Sequence, residues 1–161
     1  MMQKVDDIEK FVIMRADSSS SAELFSALEE LEKQSFSDGW SAESFRSETV
    51  KENGCVLYIC NGAEVAGLLT GYFCVGEGDI TNVAVAEKYR RKGLAKRLIS
   101  EFIRLLPNDT ENVFLEVREY NTSAILLYKS CGFEKISVRK NFYSNPRENA
   151  IVMSRKVEVN I

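Results

Sequence analysis

The sequence predicts an α/β fold, one mixed and mostly antiparallel sheet of about seven strands flanked by four helices, with residues 1–161 forming a single domain. Three observations carry this. The apolar pattern alternates between strand-like runs and helical stripes in the order β-α-α-β-β-β-α-β-α-β-β. An Asn61-Gly62 pair sits between two β-rich runs, which is the signal of a tight type I′ hairpin. A chain of 161 residues, 45% hydrophobic and 28% charged, has the size and composition of one globular unit with one core.

Phe11 to Ala16 (FVIMRA) reads as the first strand, and the serines after it as loop and helix-cap chemistry. Leu24, Leu28 and Leu31 recur at helical spacing and give an amphipathic first helix. Ser41, after Trp40, caps a second helix through SAESFRSETVKEN. The runs on either side of Asn61-Gly62 are two antiparallel strands, GEGD (Gly76 to Asp79) is read as the next turn, and ITNVAVA as a third strand. From Gly93, Leu94, Leu98, Phe102 and Leu105 define a helix packed on the sheet, with Lys96, Arg97, Glu101 and Arg104 expected on its outer face and Pro107 ending it. NVFLEVREY is a strand, NTSAILLYKSCGF a helix capped at Asn121 and stopped at Gly132, and two closing strands flank the loop SNPREN, which could border a site.

Composition narrows the chemistry. There is no histidine, so Ser-His-Asp and Cys-His nucleophilic sites and His-ligated zinc are excluded. A general base must be Glu, Asp, Tyr, Lys, Cys or an ordered water. The four cysteines, Cys55, Cys60, Cys74 and Cys131, have no C-x-x-C spacing and are expected as reduced core thiols. The N-terminal MMQKVDDIEKF is acidic where a signal peptide needs an apolar stretch, and no apolar run is long enough to span a bilayer, so a cytoplasmic location is expected.

Net charge is −3, yet Glu87 to Arg97 alone carries +5, leaving −8 on the other 150 residues. A nucleic-acid surface spreads its cations over a face to meet many phosphates. Here they concentrate where a helix begins directly after a strand, a place whose free N–H groups and dipole suit one compact anion. Arg90-Arg91-Lys92-Gly93-Leu94-Ala95 fits R-x-x-G-x-A, with Gly93 allowing close backbone approach and Ala95 keeping the first turn uncrowded. No G-x-x-x-x-G-K-[ST] occurs, and GEGDIT lacks the third glycine of a dinucleotide fingerprint, which removes support for ATP and NAD.

In this context the pattern resembles the acetyl-CoA site of the GCN5-related N-acetyltransferase (GNAT) superfamily, over nearly the whole chain from Phe11 to about Val157. Four blocks in order, DGWSAESF, ITNVAVAEKYRRKGLAKRLI, LEVREYNTSAILLYKSCGF and RKNFY…ENAIVM, resemble its RimI-type branch, the ribosomal-protein-alanine N-acetyltransferases. Gly39 before Trp40, where proline is common, and REYN before the helix are departures on the peptide side.

The resemblance implies roles residue by residue. Val83, Ala84 and Val85 would pair with the pantetheine arm as an added strand. Arg90, Arg91, Lys92, Gly93, Leu94, Ala95 and Lys96 would hold the pyrophosphate, and Asn121 would both cap its helix and contact the coenzyme. Glu116, which shares a strand face with Phe114 and Arg118, would be the proton acceptor, and Tyr128 the general acid for the departing thiolate. By spacing alone Glu116 is equally a solvent-facing glutamate and Tyr128 a core aromatic. Trp40 and Tyr143 would border the peptide. No metal is implied, and oligomeric state is left open.

The target amine follows partly from physics. Near pH 7.5 an α-amine with pKa about 7.8 is roughly a third neutral, against about 0.1% for a lysine. The resemblance supplies the rest, an N-terminal alanine of a small-subunit ribosomal protein, with neither membrane nor direct nucleic-acid contact. The alternatives are acetylation of lysine or a small amine within the same fold, and, outside catalysis, an RNA- or ribosome-binding module using the basic stretch.

Overall fold

The computed structural model describes residues 10–158. The ends of the expected 1–161 domain, and most of the N-terminal stretch read for a signal peptide, lie outside the described residues. In chain order the elements are β1 (Phe11–Arg15), α1 (Ala22–Ser35), α2 (Ala42–Thr49), β2 (Gly54–Asn61), β3 (Glu64–Cys74), β4 (Glu77–Val85), α3 (Leu94–Leu105), β5 (Asn112–Arg118), α4 (Thr122–Ser130), β6 (Glu134–Tyr143) and β7 (Glu148–Lys156). A 3₁₀ turn, Glu87–Tyr89, joins β4 to α3.

Serine and asparagine caps start three of the helices. Ser21 accepts from the Leu24 N–H, Ser41 from Ser44 and Asn121 from Ala124, each satisfying a donor the helix cannot pair itself. The strands form one sheet in the order β1-β2-β3-β4-β5-β7-β6. Among the described residues only β4 and β5 run parallel, because the α3 crossover separates them while hairpins join most other neighbours. Two cores flank the sheet. Leu94, Leu98, Ile99 and Phe102 of α3 and Tyr128 of α4 pack with Leu57, Leu69, Ile80 and Leu115 on one face. Phe25, Leu28, Leu31 and Phe45 of α1 and α2 pack with Val56, Tyr58, Leu68 and Ala84 on the other. Covered on both faces, β2 and β3 are buried almost continuously.

Several sequence expectations are corrected in detail. Asn61 pairs with Glu64, so the loop is Gly62-Ala63, and of these only Gly62 has positive φ (61°). That is the II′ pattern rather than I′. Gly76 to Asp79 is not a turn, since Cys74 pairs with Glu77 and the reversal is Val75-Gly76 alone. Asp79 is therefore a sheet residue. Of the four free cysteines only Cys55 is fully buried, and Cys74 is exposed at the end of β3. On α3, Arg97 and Glu101 are half-buried rather than outward, and Arg97 donates to the Phe11 carbonyl at 2.9 Å.

Two irregularities part β4 from β5 toward their C-terminal ends. Gly71 pairs with Ile80 while Thr70 pairs with Asn82, so Thr81 is an extra residue that bulges β4. The parallel β4–β5 pairing runs from Glu77–Asn112 to Ile80–Leu115 and ends there. Beyond it the two strands diverge into a fork. Close packing of α3 beneath the bulge needs a glycine, because a Cβ on Gly71 would lie 2.6 Å from both the Asp79 carbonyl oxygen and the Phe102 ring. Gly71→Ala is expected to destabilise the fold by about 1–3 kcal/mol, read as a drop in urea midpoint with unchanged slope.

Candidate active site

The fork opens into a cleft of about 850 Å³. One wall is the β4 segment Val83 to Val85, whose other edge pairs with Gly67 to Leu69 of β3. On the β5 side no ladder pairing follows Ile80–Leu115, so this edge can take an extended ligand as a further strand. The floor is the approach to α3. Arg91 and Gly93 both have left-handed backbone, φ 62° and 77°, and alternation of backbone hand turns successive N–H groups into an anion-binding concavity. Gly93 is the N-cap of α3 and supplies no capping side chain, leaving the first-turn N–H groups directed at the cleft. Arg90, Arg91, Leu94, Ala95 and Lys96 line it as well.

The remaining cations have other partners. Lys88 pairs with Glu64 at 2.5 Å, and Arg97 is tied to β1 through the Phe11 carbonyl. Arg90 also folds back, donating its Nε–H to the Val85 carbonyl at 3.1 Å. Lys92 is not among the cleft-lining residues.

The opposite wall is α4. Asn121 and Tyr128 both line the cleft, with Ser123, Ala124 and Leu127, which the sequence alone did not single out. Their signal was present, since Ala124, Leu127 and Tyr128 follow Asn121 at helical spacing on one stripe. Tyr128 is buried, 9% exposed, with its ring edge-on to Phe133. Burial, with the Tyr143 and Cys131 groups as smaller contributors, pushes its phenol well above the usual tyrosine range. The hydroxyl therefore stays protonated and is available as a donor.

Glu116 does not line this cleft. The alternation of β5 buries Val113, Leu115 and Val117 on the α3–α4 face and turns Phe114, Glu116 and Arg118 to the α1–α2 face. Glu116 is the first β5 residue past the last β4 pairing, at the apex of the fork. Arg139 of β6 donates to its Oε1 at 2.5 Å. Beside it, Tyr143 lies under the Arg118 guanidinium at 4.4 Å, and its phenol is pushed up to about 12 by burial first and by the Glu116 charge second. Arg118 also donates to the Ser144 and Pro146 carbonyls, which fixes the β6–β7 loop. Ser37, after α1, donates to the Asn145 carbonyl at 3.2 Å, so the α1–α2 and β6–β7 loops meet across this face. Trp40 packs on Phe45 at 5.4 Å and joins the α1–α2 core.

Two carboxylates that the sequence did not mark also occupy this face. Glu32 of α1 is 1% exposed; it accepts from Asn82 Nδ2, and its Oε2 has no hydrogen-bond partner. Desolvation raises it to about 7. Asp79 of β4, half-buried and in register with Tyr72 of β3, is raised to about 6, by desolvation first and the Glu116 charge second, with the Tyr72 hydroxyl opposing the rise. Among the described residues, no group of three or more Cys, Asp or Glu could hold a metal ion, and no helix is long and apolar enough to cross a membrane.

A sheet forked between two parallel strands, with a helix start suited to an anion on one side, fits a ligand that has an extended arm and a phosphate end. The chain belongs to the acetyltransferase (GNAT) family, whose pattern matches residues 25–133, and is an acetyl-CoA-dependent N-acetyltransferase. It is 33% identical over 129 residues, 77% of this chain and 83% of the other, to a putative ribosomal protein bS18-alanine N-acetyltransferase of Bacillus subtilis. It superposes on the crystal structure of the ribosomal-protein-S18-alanine N-acetyltransferase of Escherichia coli with a TM-score of 0.78 at 25% identity, covering 94% of this chain and 96% of that one. It is also 32% identical over 140 residues to an uncharacterized Mycobacterium leprae protein, 80% of this chain but only 37% of that longer protein.

Proposed function

We propose that the protein transfers acetyl from acetyl-CoA to the N-terminal alanine amine of a small-subunit ribosomal protein by direct attack of the amine, with Glu116 as base and Tyr128 as acid. The observation that carries this is the placement of the two groups on opposite faces of one fork. The donor enters from the α3–α4 side, where Val83 to Val85 can pair with its pantetheine arm and Arg90, Arg91 and Gly93 to Lys96 can hold its pyrophosphate. The amine enters from the α1–α2 side, where Glu116 stands near Tyr143 at the end of β6 and the loop carrying Trp40 would border the peptide. Likeness to the named relatives supports the substrate.

Tyr128 would protonate the departing thiolate, and its raised phenol keeps the proton until that charge develops. Asn121 caps α4 and so sets where Tyr128 stands in the cleft. Tyr128→Phe is expected to lower kcat by about 10²-fold with acetyl-CoA affinity nearly unchanged by calorimetry. Loss of affinity instead would make Tyr128 a binding residue.

Intact-mass analysis of ribosomal proteins incubated with the enzyme and acetyl-CoA tests the substrate. One acetyl on one protein, removed when that protein's N-terminus is blocked, is the expected result. Faster reaction of blocked peptides carrying a free lysine would overturn it.

A further inference from the structure

The anion-binding segment between β4 and α3 contains a residue whose backbone conformation needs support from outside the segment. Arg91, a non-glycine residue, has a left-handed φ of 62° just ahead of Gly93, a conformation that persists only where the surroundings fix it. After it, Arg97 ties α3 to β1 through the Phe11 carbonyl. Before it stands Tyr89, the last residue of the 3₁₀ turn, which lines the cleft. Its ring meets Phe11 edge-on, with centroids 5.5 Å apart. Its hydroxyl donates to Glu64 Oε2 at 2.5 Å and accepts from Asn61 Nδ2 at 3.3 Å. Phe11 pairs with Asn61 and Asn61 with Glu64, so the three stand in one row across β1, β2 and β3 and share a face of the sheet. The Gly62-Ala63 turn sets Asn61 and Glu64 directly opposite each other, with Cβ atoms about 5 Å apart, close enough for both to reach one hydroxyl.

Glu64 makes a second contact with the same turn. Its Oε1 pairs with Lys88 Nζ at 2.5 Å, and the Lys88 ammonium lies 5.1 Å from the Tyr89 ring centroid. The hydrogen bonds from Lys88 and Tyr89 hold the Glu64 carboxyl below the usual glutamate range, so it is ionised at neutral pH. One carboxylate thus grips two consecutive residues just ahead of the anion-binding segment. With the Lys88 and Glu64 side chains 63% and 49% exposed, their ion pair adds little to stability, and Glu64 does not line the coenzyme cleft. We infer that Glu64 is a positioning residue for coenzyme binding, fixing through Tyr89 the approach to α3 in the shape that receives the pyrophosphate. This rests on the reading above that the α3 start takes that group.

Charge alone predicts the opposite effect. The phosphate end of the coenzyme is a polyanion, and a carboxylate close to its site repels it. If electrostatics were all that mattered, removing Glu64 would tighten binding. Losing its grip on Tyr89 instead leaves Arg91 free to relax out of the left-handed region, and the converging N–H groups then have to be ordered as the ligand arrives, which weakens binding. The sign of the change separates the two roles.

The test compares acetyl-CoA with S-acetylpantetheine, which keeps the thioester and the pantetheine arm but lacks the pyrophosphate, on the full chain. Glu64→Ala is expected to raise the acetyl-CoA Kd by about 5- to 20-fold in calorimetry, the low end for a lost hydrogen bond to a charged group. Saturated kcat and kcat/KM for S-acetylpantetheine should stay within about twofold of the wild type. Glu64→Ala with Lys88→Met, which restores the net charge and removes the freed lysine, should show the same loss or a larger one. Glu64→Gln, which keeps an acceptor for the Tyr89 hydroxyl, should recover most of it. Unchanged or tighter acetyl-CoA binding in the double variant overturns the proposal, as does a glutamine variant as weak as alanine. An equal loss with S-acetylpantetheine also overturns it, since that would mark general damage to the fold. A wild type that uses S-acetylpantetheine as well as acetyl-CoA would remove the pyrophosphate reading and this proposal with it. A wild type that discriminates, beside variants that bind normally, would remove this proposal alone.

Discussion

Glu116→Gln is expected to lower kcat by about 10²–10⁴-fold, the range removed with a positioned general base, while acetyl-CoA affinity stays within about threefold. The two halves of this expectation come from different faces of the sheet. The coenzyme groups would contact the β4 edge, the α3 start and α4, which line a cleft that Glu116 does not. Glutamine matches glutamate in volume, and its carbonyl can still accept from the Arg139 guanidinium, so the ion pair becomes a hydrogen bond from a cation to a neutral acceptor and β5 keeps its place. What is lost is the proton acceptor at the apex of the fork. Steady-state kinetics with calorimetry on the same preparation separates the outcomes. A parallel loss of affinity would move Glu116 to coenzyme binding, and unchanged kcat would remove it from the chemistry. Combining Glu116→Gln with Tyr128→Phe is expected to give less than the product of the single effects, because both act on one transition state.

Most of the cleft between β4, α3 and α4 was legible because it is written in local chemistry. Gly93 is marked by the left-handed φ it adopts, Asn121 by the cap it makes, and β5 by strict alternation, and each stays where its neighbours in sequence put it. The opposite face of the fork was legible only in part, since it depends on how distant segments meet. Asp79 sits in a Gly-Glu-Gly-Asp string that reads as a turn, and it becomes a sheet residue because Val75-Gly76 closes the hairpin two residues earlier. The Thr81 bulge, which opens the fork, has no sequence mark in a run of β-formers. Glu32 lies in an acidic stretch that looks solvated. The available signal was its spacing, four residues after Leu28 and next to Leu31, which puts it on the buried stripe of α1. Trp40 went the other way, its ring being held by Phe45 and the α1–α2 core.

Glu32→Gln is expected to change how stability responds to pH. The Glu32 carboxyl is raised from 4.5 to about 7 in the folded protein, mainly because burial removes the water a charged carboxylate needs. Asn82 and the Trp40 N–H offset part of this, but Oε2 is left without a partner. Between those two values the folded state holds a proton that the unfolded chain has released, so stability falls as pH rises. The contribution is fully present below pH 4.5 and lost as pH rises through about 7. Its size is about 3 kcal/mol, from roughly 1.4 kcal/mol per unit of pKa difference. Glutamine is neutral at every pH and cannot show the decline. Unfolding free energies from urea titrations at pH 4.5 and pH 8 should therefore show the variant gaining about 3 kcal/mol on the wild type across that interval, whatever constant offset the exchange brings. Asp79 titrates in the same window but is present in both proteins, and so cancels in the difference. Equal slopes for the two proteins would mean that the carboxyl stays ionised within the fold. A widening gap would identify α1 and the bulged half of β4 as joined through a neutral acid at neutral pH, with the Trp40 loop tied to the same group.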